Sequence, residues 1–397
     1  MNKTVQRACR LQGFFKHLTQ GPFRSYSTKP LIVLGIETSC DDTSAAVVTS
    51  DRKILSEIVR TQHHLHEPLG GIVPTLASTG HMQNLPMVVR EALEHANKSI
   101  NDIDCVAVTR GPGLPPCLSV GMNAAKTLAA VAGKPIVGVH HMEAHALTAR
   151  LTTENSMGDH LPAPAFPFMT LLVSGGHTLL LQANAVGNYD QVGSTMDDAI
   201  GEAIDKASRA LGLKWAQGRR GGPGVALEQA ALKGDPLRYD SMLPLPLSER
   251  EWTKKIGFSF SGLKTAMMRM VERQNITNSE QDVADAAATF QSKCIQHLEQ
   301  KLRLALDQSI MQQSIPLTAL VVSGGVASNK VLRSRLEVLA ASYGLPLICP
   351  PPKLCTDNGV MIAWAGIERY QAGLIDDYEI TTIPKWPIER LKDVVTK

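Results

Sequence analysis

The apolar residues of this chain are grouped into short runs, and two stretches repeat one arrangement. In residues 31–48 and again in residues 168–181, an apolar run leads into a polar turn and a second apolar run follows. The turn at residues 37–44 is rich in small polar residues, and the turn at residues 174–177 contains two glycines. Apolar runs of this length around such turns predict two β-hairpins.

A third stretch begins in the same way but ends differently. Residues 319–322 form an apolar run that passes through a Ser-Gly-Gly turn into a predicted helix containing Leu332 and Leu336. Glycine-rich bends at strand ends let backbone N–H groups approach an anion, and a following helix start adds its positive dipole. One such turn alone is more typical of an ordinary bend, whereas three favour phosphate binding. The two similar hairpins also predict a duplicated α/β lobe with a cleft between the copies.

Helical periodicity indicates further elements between these stretches. Apolar residues at helical spacing predict helices over residues 84–98 and 195–212, and the second helix carries Asp197 and Asp198 in its predicted first turn. Three prolines within residues 155–167 predict a linker between the lobes. The pattern therefore describes two α/β lobes joined by a short connection.

The composition is typical of a globular protein. The chain has 397 residues, 44% of them hydrophobic, with 40 Lys and Arg against 37 Asp and Glu. At roughly 100–200 residues per domain this length predicts two or three domains and excludes an isolated small binding module. The hydrophobic content excludes a disordered chain, and because no run of about 18 apolar residues is present, we expect no membrane insertion. Seven scattered cysteines without a CxxC pair indicate neither a disulfide framework nor a thiolate zinc site, and they favour a reducing compartment.

The positive charge is concentrated at the beginning of the chain. Residues 1–26 contain five Lys and Arg, no acidic residue, and apolar residues at helical spacing. Such a start is typical of a mitochondrial transit peptide, and residues 24–27 predict cleavage after Tyr26. The alternative is a disordered basic tail. Without residues 1–26 the formal net charge falls from +3 to −2, because 35 basic residues then face 37 acidic ones.

Two histidines suggest a metal site. His141 and His145 follow a predicted strand, and on a helix they lie on one face, where they can share a divalent metal. Glu143 points to the other side, unlike the glutamate of HExxH metalloproteases, which directly follows the first histidine. Asp357 is the best-placed acidic third ligand, although it also suits the N-cap of the helix that follows. The alternative for the histidines is a structural role at a helix start.

A second group of histidines does not indicate a metal site. His63, His64 and His66 are clustered, but no acidic partner is placed beside them at a fixed spacing. We therefore expect these three side chains to lie on the surface.

Several segments together resemble one known family. The chain is similar to the TsaD-type tRNA threonylcarbamoyladenosine transferases across about residues 31–370, with the motifs in the family's order. The segments that carry the resemblance are residues 35–43, 70–74, 76–78, 141–145, 172–177, 323–329 and 357–359. With its basic start, the chain resembles the mitochondrial members.

The resemblance implies a fold and a domain plan. The family has the two-lobed α/β fold of actin, sugar kinases and Hsp70 (ASKHA), with duplicated βββαβα cores, which agrees with the repeated hairpins. We expect a transit peptide at 1–26, an N-terminal lobe at 27–154 and a linker at 155–167. The second lobe is expected at 168–397, with a helical insert at about 185–265 and a last helix that packs back on the first lobe.

The resemblance also implies an activity and its ligands. The family transfers a threonylcarbamoyl group from threonylcarbamoyl-AMP to the N6 amine of the adenosine 3′ of the anticodon, in tRNAs reading ANN codons, and AMP leaves. His141, His145 and Asp357 are then expected to hold one divalent metal ion, iron or zinc. The expected adenylate-binding residues, with ATP or ADP as further ligands, are Leu172, Val173, Ser174, Gly175, Gly176, Asp205, Gly224, Glu228 and Asn329. Asp41 and Asp42, in the first turn, are the expected catalytic pair, although an Asx-turn is an equally simple role for them.

The chain departs from the family pattern near these residues. Thr75 and Thr79 stand where the family has an acid and a base, so a pair of opposite charges is absent there. A basic loop at 217–222 precedes Pro223, and it leaves Gly222 as an alternative to Gly224. These departures concern substrate contacts rather than the expected metal ligands.

Three other functions compete with this interpretation. A small-molecule kinase or ATPase of the same fold fits the glycine-rich turns, but such kinases hold magnesium with oxygen ligands. A metallopeptidase, an older label for the family, fits the histidines but not the position of Glu143. A non-catalytic nucleic-acid or assembly factor is the third alternative.

We expect the partners to be mitochondrial tRNA, a threonylcarbamoyl-AMP synthase that supplies the donor, and a second copy of the chain, all in the matrix. A slightly acidic mature chain must contact tRNA through local basic patches. The candidates are Arg219 with Arg220, Lys254 and Lys255 with Lys264, and Arg269 with Arg273. Each patch alone also fits a solvated charged face.

Overall fold

The first predicted hairpin forms the centre of a five-stranded sheet. The computed structural model describes residues 29–153, 162–216, 221–252, 254–312 and 316–395. The predicted transit peptide, the basic residues 219 and 220, and most of the predicted linker lie outside these residues. The strands of the first sheet are β1 (Ile32–Glu37), β2 (Thr43–Thr49), β3 (Ile54–Arg60), β4 (Cys105–Gly111) and β5 (Ile136–His140). Their order is β3-β2-β1-β4-β5, with β2 antiparallel to β1 and β3, and with β4 and β5 parallel to β1.

The second sheet repeats this topology. Its strands are β6 (Phe168–Val173), β7 (Thr178–Ala185), β8 (Asn188–Ser194), β9 (Leu320–Ser323) and β10 (Leu347–Ile348). The order is β10-β9-β6-β7-β8, with the β6–β7 hairpin antiparallel and β9 parallel to β6. The predicted duplicated α/β lobe is therefore confirmed. The segment expected to be a helical insert begins with a strand, β8, that belongs to this sheet.

Helices cover both faces of the first sheet, which explains its continuous apolar strands. The full set of helices in the described residues is α1 (His63–His66), α2 (Pro74–His95), α3 (Pro115–Ala132), α4 (His141–Leu151), α5 (Ile200–Ala210), α6 (Pro223–Ala231), α7 (Ser261–Arg273), α8 (Glu280–Gln312), α9 (Lys330–Ser342), α10 (Gly359–Gln371) and α11 (Leu391–Val395). Of these helices, α2, α3, α4 and α10 cover the first sheet. Alternate residues of β1 pack against α2 and α3 on one face and against α4 and α10 on the other. Within the described parts of the chain, no helix has both the length and the apolar character that a bilayer crossing requires.

The backbone of helix α10 packs directly against the backbone of β1, with no side chain between them at Gly35. A Cβ atom on Gly35 would lie 2.3 Å from the Gly359 carbonyl oxygen and 2.4 Å from the Ala363 nitrogen. Gly359 in turn lies against the backbone of Ala45 and Ala46 in β2. This glycine contact places the start of α10, and hence Asp357, close to the turn after β1.

Two predicted helices have different limits in the structure. The helix predicted at 84–98 begins at Pro74 and ends at His95. Its first part was missed because small residues, Ala77 and Gly80, face the core there instead of large apolar ones.

The helix predicted at 195–212 spans only Ile200–Ala210, so the prediction that Asp197 and Asp198 lie in its first turn is wrong. The Asp197 carboxylate accepts a hydrogen bond from the Phe260 nitrogen at 2.8 Å, and that of Asp198 accepts one from Lys264 Nζ at 2.5 Å. These contacts with the segment around the start of α7 hold both residues outside the helix.

Candidate metal centre and ligand cleft

The structure brings together the three residues predicted to bind a metal. The strand β5 ends at His140, and α4 begins at once with His141, so His141 and His145 lie one helical turn apart. Asp357 Oδ1 lies 3.4 Å from His141 Nε2 and 3.2 Å from His145 Nε2, and one ligand atom from each residue lies within 4.8 Å of the others. In a tetrahedral site with metal–ligand bonds of about 2.0–2.1 Å, neighbouring ligand atoms lie about 3.3–3.4 Å apart. The donor set and its spacing therefore fit a zinc-like or iron-like ion.

Asp357 is available for this site because its neighbour caps the helix. The Asn358 side-chain oxygen accepts a hydrogen bond of 2.9 Å from the Met361 nitrogen, and Asn358 is the N-cap of α10. The N-cap role considered for Asp357 is therefore wrong. The Asp357 carboxylate is directed to the two histidines instead.

Glu37 lies behind His141 and was not predicted as a site residue. Its side chain is fully buried at the end of β1, and its Oε2 atom lies 3.3 Å from His141 Nδ1. The same carboxylate accepts hydrogen bonds from the Ser39 nitrogen and the Thr109 hydroxyl. A carboxylate on the second ring nitrogen fixes the imidazole so that Nε2 faces the centre. The signal in the sequence was an acid that closes an otherwise apolar strand.

The electrostatics of the centre favour a cation. Burial opposes a charge on His141, but the Asp357 and Glu37 carboxylates outweigh it and raise the pKa of His141 to about 10. Although Asp357 is buried, the His141 and His145 imidazoles hold its pKa well below its usual range. Burial, together with repulsion from His141 and His145, lowers the pKa of His177 to about 4. The centre therefore presents an ionised Asp357 carboxylate beside a neutral His177.

Glu143 lies on the opposite side of α4 and does not reach the centre. Its Oε2 atom accepts a hydrogen bond of 2.9 Å from Arg369 Nη1, and its Oε1 atom accepts one of 2.7 Å from the Gly187 nitrogen. Both oxygens are thus engaged with protein groups. The predicted direction of Glu143 is confirmed.

A cleft of about 620 Å³ opens beside the metal centre. Its walls come from the turns at the strand ends of both sheets and from helices, and the volume is typical of a small-molecule site. Among the predicted residues it is lined by Asp41, Asp42, His141, Ser174, Gly175, Gly176, Asp205, Gly224, Glu228, Asn329 and Asp357. Leu172, Val173 and His145 are buried and are not among its lining residues. Leu172 and Val173 lie in β6, directly before the turn that does line the cleft.

The turn after β6 forms one end of the cleft. The Ser174 hydroxyl accepts a hydrogen bond of 3.1 Å from the His177 nitrogen, and the Ser174 carbonyl accepts one of 3.2 Å from the Gly201 nitrogen at the start of α5. A Cβ atom on Gly175 or Gly176 would meet nothing within 4 Å, so both glycines face open space. A rigid turn with an open glycine edge beside a helix start suits an anionic group.

The opposite wall is formed by α5, α6 and the start of α9. A Cβ atom on Gly224 would lie 3.8 Å from Asp205 Oδ1, and Gly222, the alternative glycine, also lines the cleft. Burial raises the pKa of Asp205 to about 7, because the nearby Arg209 only partly offsets it. Glu228 accepts a hydrogen bond of 2.9 Å from the Lys330 nitrogen.

The Asn329 side chain, which was predicted to bind the adenylate, hydrogen-bonds to protein groups in this wall. Its oxygen caps α9 by accepting a hydrogen bond from the Leu332 nitrogen at 2.9 Å, and its Nδ2 atom donates to Gln291 Oε1 at 2.7 Å. The side chain therefore shapes the wall through the start of α9.

The histidine cluster at 63–66 does not lie on the surface as a whole. His66 is buried, and its Nδ1 atom accepts a weak hydrogen bond of 3.4 Å from the Val73 nitrogen. His63 lines the cleft, where one ligand atom each from His63, Asp41 and Asp42 lies within 4.8 Å of the others. The surface prediction is therefore wrong for His66, which is buried, whereas His63 is half-buried and faces the cleft.

Some side chains of the basic patches considered for tRNA binding already contact other residues of the protein. Lys264 forms its 2.5 Å ion pair with Asp198, and Lys255 lies over the Trp252 ring, with Nζ 5.1 Å from the ring centroid. Arg269 and Arg273 are exposed on α7.

Comparison with known proteins gives one consistent result. The family model for TsaD, described as tRNA N6-adenosine threonylcarbamoyltransferase, matches residues 53–364, well over half of the chain. A probable mitochondrial tRNA N6-adenosine threonylcarbamoyltransferase of Arabidopsis thaliana is 44% identical over 388 residues, covering 91% of this chain and 77% of that protein. A tRNA N6-adenosine threonylcarbamoyltransferase of Brucella anthropi is 45% identical over 364 residues, covering 90% of this chain and 95% of that protein.

Solved structures add information on the fold alone. HypF of T. kodakarensis is 13% identical and gives a TM-score of 0.50, covering 86% of this chain and 49% of that protein. The likeness agrees with the two-lobed ASKHA fold.

Proposed function

This chain belongs to the TsaD family of tRNA N6-adenosine threonylcarbamoyltransferases, and we propose that its substrates are mitochondrial tRNAs that read ANN codons. The donor is threonylcarbamoyl-AMP, the acceptor is the N6 amine of the adenosine 3′ of the anticodon, and AMP is released. One observation carries the proposal: His141 and Asp357 line the same cleft as the open glycine turn at 174–176. A metal-binding group and an anion cradle thus face one volume.

The residues present fit one divalent ion, held by His141, His145 and Asp357. Two imidazoles and one carboxylate suit iron or zinc better than magnesium. When bound, the ion acts as a Lewis acid that polarises the donor. Glu37 keeps the His141 ring in place for it.

The chain's own groups bind and orient the two substrates. Backbone N–H groups at Gly175 and Gly176 receive the adenylate phosphate, and Asp205 accepts hydrogen bonds from the ribose hydroxyls. Asp41 and Asp42 orient the acceptor amine and receive its proton as the new N–C bond forms. The bond between the carbamoyl carbon and the phosphate oxygen breaks, and AMP leaves with the electron pair. Because AMP is a good leaving group, positioning supplies much of the rate enhancement.

The rival functions are less well supported by the same residues. A metallopeptidase needs a base at the metal-bound water, whereas both Glu143 oxygens bind Arg369 and Gly187. A magnesium-dependent kinase needs oxygen ligands, whereas two of the three candidate ligands are imidazoles. ATP or ADP fits the Asp205 wall as a ligand that competes with the donor.

Localisation and partners complete the proposal. The acid-free segment at 1–26 and the mitochondrial name of the Arabidopsis relative support import into the matrix. A matrix synthase then supplies threonylcarbamoyl-AMP, and the chain works as a homodimer.

The test uses cells that lack this chain. Nucleosides from purified mitochondrial tRNA are measured by mass spectrometry, and the cells are then complemented with the full chain or with a version lacking residues 1–26. We expect threonylcarbamoyladenosine to be lost from mitochondrial tRNA and restored only by the full chain. An unchanged level in the deficient cells would overturn the proposed substrate, and equal rescue by both versions would overturn the targeting role.

A further inference from the structure

One large aromatic ring lines the cleft at its edge. Trp215 is the only Phe, Tyr or Trp among the lining residues that the structure describes. It lies beyond the end of α5 and is partly exposed. Its ring lies edge-on to His63, with the ring centroids 6.3 Å apart and the planes at 84°. Trp215 of the second lobe therefore contacts His63 of the first lobe, and both residues line the cleft.

The same edge of the cleft carries a guanidinium group. Arg209 is the only Lys or Arg among the described lining residues, and its Nη1 atom donates a hydrogen bond of 2.5 Å to the Gly70 carbonyl. Five carboxylates line the cleft, from Asp41, Asp42, Asp205, Glu228 and Asp357. A phosphate that approaches this cleft therefore finds one guanidinium, and it lies where α5 meets the first-lobe segment 63–71.

We propose that Trp215 is the stacking platform for the acceptor adenosine of the RNA, with Arg209 binding an adjoining backbone phosphate. This inference rests on the proposed function. A base in an RNA loop must leave its neighbours before its exocyclic amine can react, and proteins hold such bases by stacking them on aromatic side chains. Stacking on an aromatic ring is worth about 1–3 kcal/mol per base, and Arg adds its charge to the neighbouring phosphate.

The position of Trp215 favours the acceptor over the adenine of the donor. Asp205, Gly224 and Glu228, which are proposed to bind the adenylate, form the wall built by α5 and α6. Trp215 instead contacts His63, and His63 lies with Asp41 and Asp42, the proposed catalytic pair. A base stacked on Trp215 therefore lies beside His63, which is grouped with the two aspartates.

The experiment uses an anticodon stem-loop RNA with 2-aminopurine in place of the acceptor adenosine. The fluorescence of 2-aminopurine rises when the base leaves its neighbours in the loop and is quenched when the base stacks on an indole, so quenching is read from the fluorescence of the bound RNA. Because the base lacks the reacting N6 amine, binding is measured without transfer. The chain is compared with Trp215→Ala, Trp215→Phe and Trp252→Phe. Trp252, a half-buried tryptophan that is not among the cleft's lining residues, provides the matched control. The affinity for AMP is measured for each variant, and thermal unfolding checks that each is folded.

We expect Trp215→Ala to abolish the quenching and to weaken RNA binding about 5- to 150-fold. Trp215→Phe should retain most of both, Trp252→Phe should retain all of both, and the affinity for AMP should be unchanged throughout. Quenching and RNA affinity that survive Trp215→Ala would overturn the proposal. A loss of AMP affinity with unchanged RNA affinity would also overturn it, because the ring would then bind the donor.

The two proposals fail in different ways. If the unchanged chain quenches the stem-loop but forms no modified nucleoside from unmodified tRNA and donor, the proposed function is wrong while the stacking site stands. If it forms the nucleoside but Trp215→Ala leaves the KM for tRNA unchanged, only the stacking site is wrong.

Discussion

The Glu143 carboxylate lies between the two proposed metal-binding histidines in sequence, yet it pairs with Arg369 at 2.9 Å on the far side of α4. Both side chains are buried, and the other Glu143 oxygen binds the Gly187 nitrogen in the β7–β8 turn. One side chain therefore ties α4 to α10 and to the second sheet. The opposite face of α4, with its two imidazoles, is held towards Asp357.

We predict that Glu143→Ala lowers the free energy of unfolding by about 3–5 kcal/mol, because it leaves the Arg369 guanidinium buried without its partner. Urea unfolding measures the change. Glu94→Ala is the matched control, since its partner Arg90 and Glu94 itself are largely exposed, and a surface pair is worth about 1 kcal/mol or less. Equal losses in the two variants would contradict the structural role of Glu143.

Replacing both His141 and His145 with alanine is predicted to remove the bound metal. Two of the three ligands are then absent, and one carboxylate cannot hold the ion alone. Elemental analysis of the purified protein should show metal in the unchanged chain and almost none in the double variant. His64→Ala, which removes an exposed histidine, should keep its metal. Metal retained by the double variant would refute the ligand assignment.

Asp205 is predicted to make the stability of the protein depend on pH. Burial raises the pKa of Asp205 to about 7 from the usual 3.8, so the folded state binds this proton more tightly than the unfolded state. The contribution of Asp205 to stability is therefore fully present below about pH 4, and it is lost as the pH rises towards 7. Asp205→Asn removes this dependence.

Urea unfolding of the chain and of Asp205→Asn at several pH values tests the sign. The stability of the variant relative to the unchanged chain should increase from pH 4 to pH 8. A difference that is constant with pH, or that decreases, would show that Asp205 ionises normally.

Gly35→Ala is predicted to destabilise the protein strongly. The new methyl group would lie 2.3 Å from the Gly359 carbonyl, where only backbone is present to move, so α10 must shift. Overpacking costs typically about 1–3 kcal/mol, and more where backbone must move. Gly262→Ala is the control, because a Cβ atom there meets nothing within 4 Å, and its effect should lie within about 1 kcal/mol. A well-folded Gly35→Ala protein of unchanged stability would contradict the close contact of α10 with β1.

The main pattern of the fold is readable in the sequence because local signals and tertiary structure agree there. The hairpin turns at 37–44 and 174–177 lie between apolar runs, and both strands of each hairpin are present. The i, i+4 spacing of His141 and His145 likewise needs only a helix, and α4 provides it.

The parts that sequence reasoning missed depend on distant partners. Asp197 leaves the predicted helix because the Phe260 nitrogen, 63 residues away, binds its carboxylate. His66 is buried because α1 folds back beside the start of α2. Glu37 reaches His141 across 104 residues. The spacing of apolar residues along the chain does not indicate such contacts, because each joins two residues that are distant in the sequence and adjacent only in the folded protein.

The transfer reaction itself tests the central claim most directly. The purified chain, loaded with zinc or iron, is incubated with threonylcarbamoyl-AMP and an unmodified ANN-decoding mitochondrial tRNA, and the digested nucleosides are measured by mass spectrometry. We predict threonylcarbamoyladenosine and an equal amount of AMP, with no product when His141 and His145 are both alanine or when the tRNA reads no ANN codon. Unmodified tRNA recovered from a folded, metal-loaded protein would contradict the account.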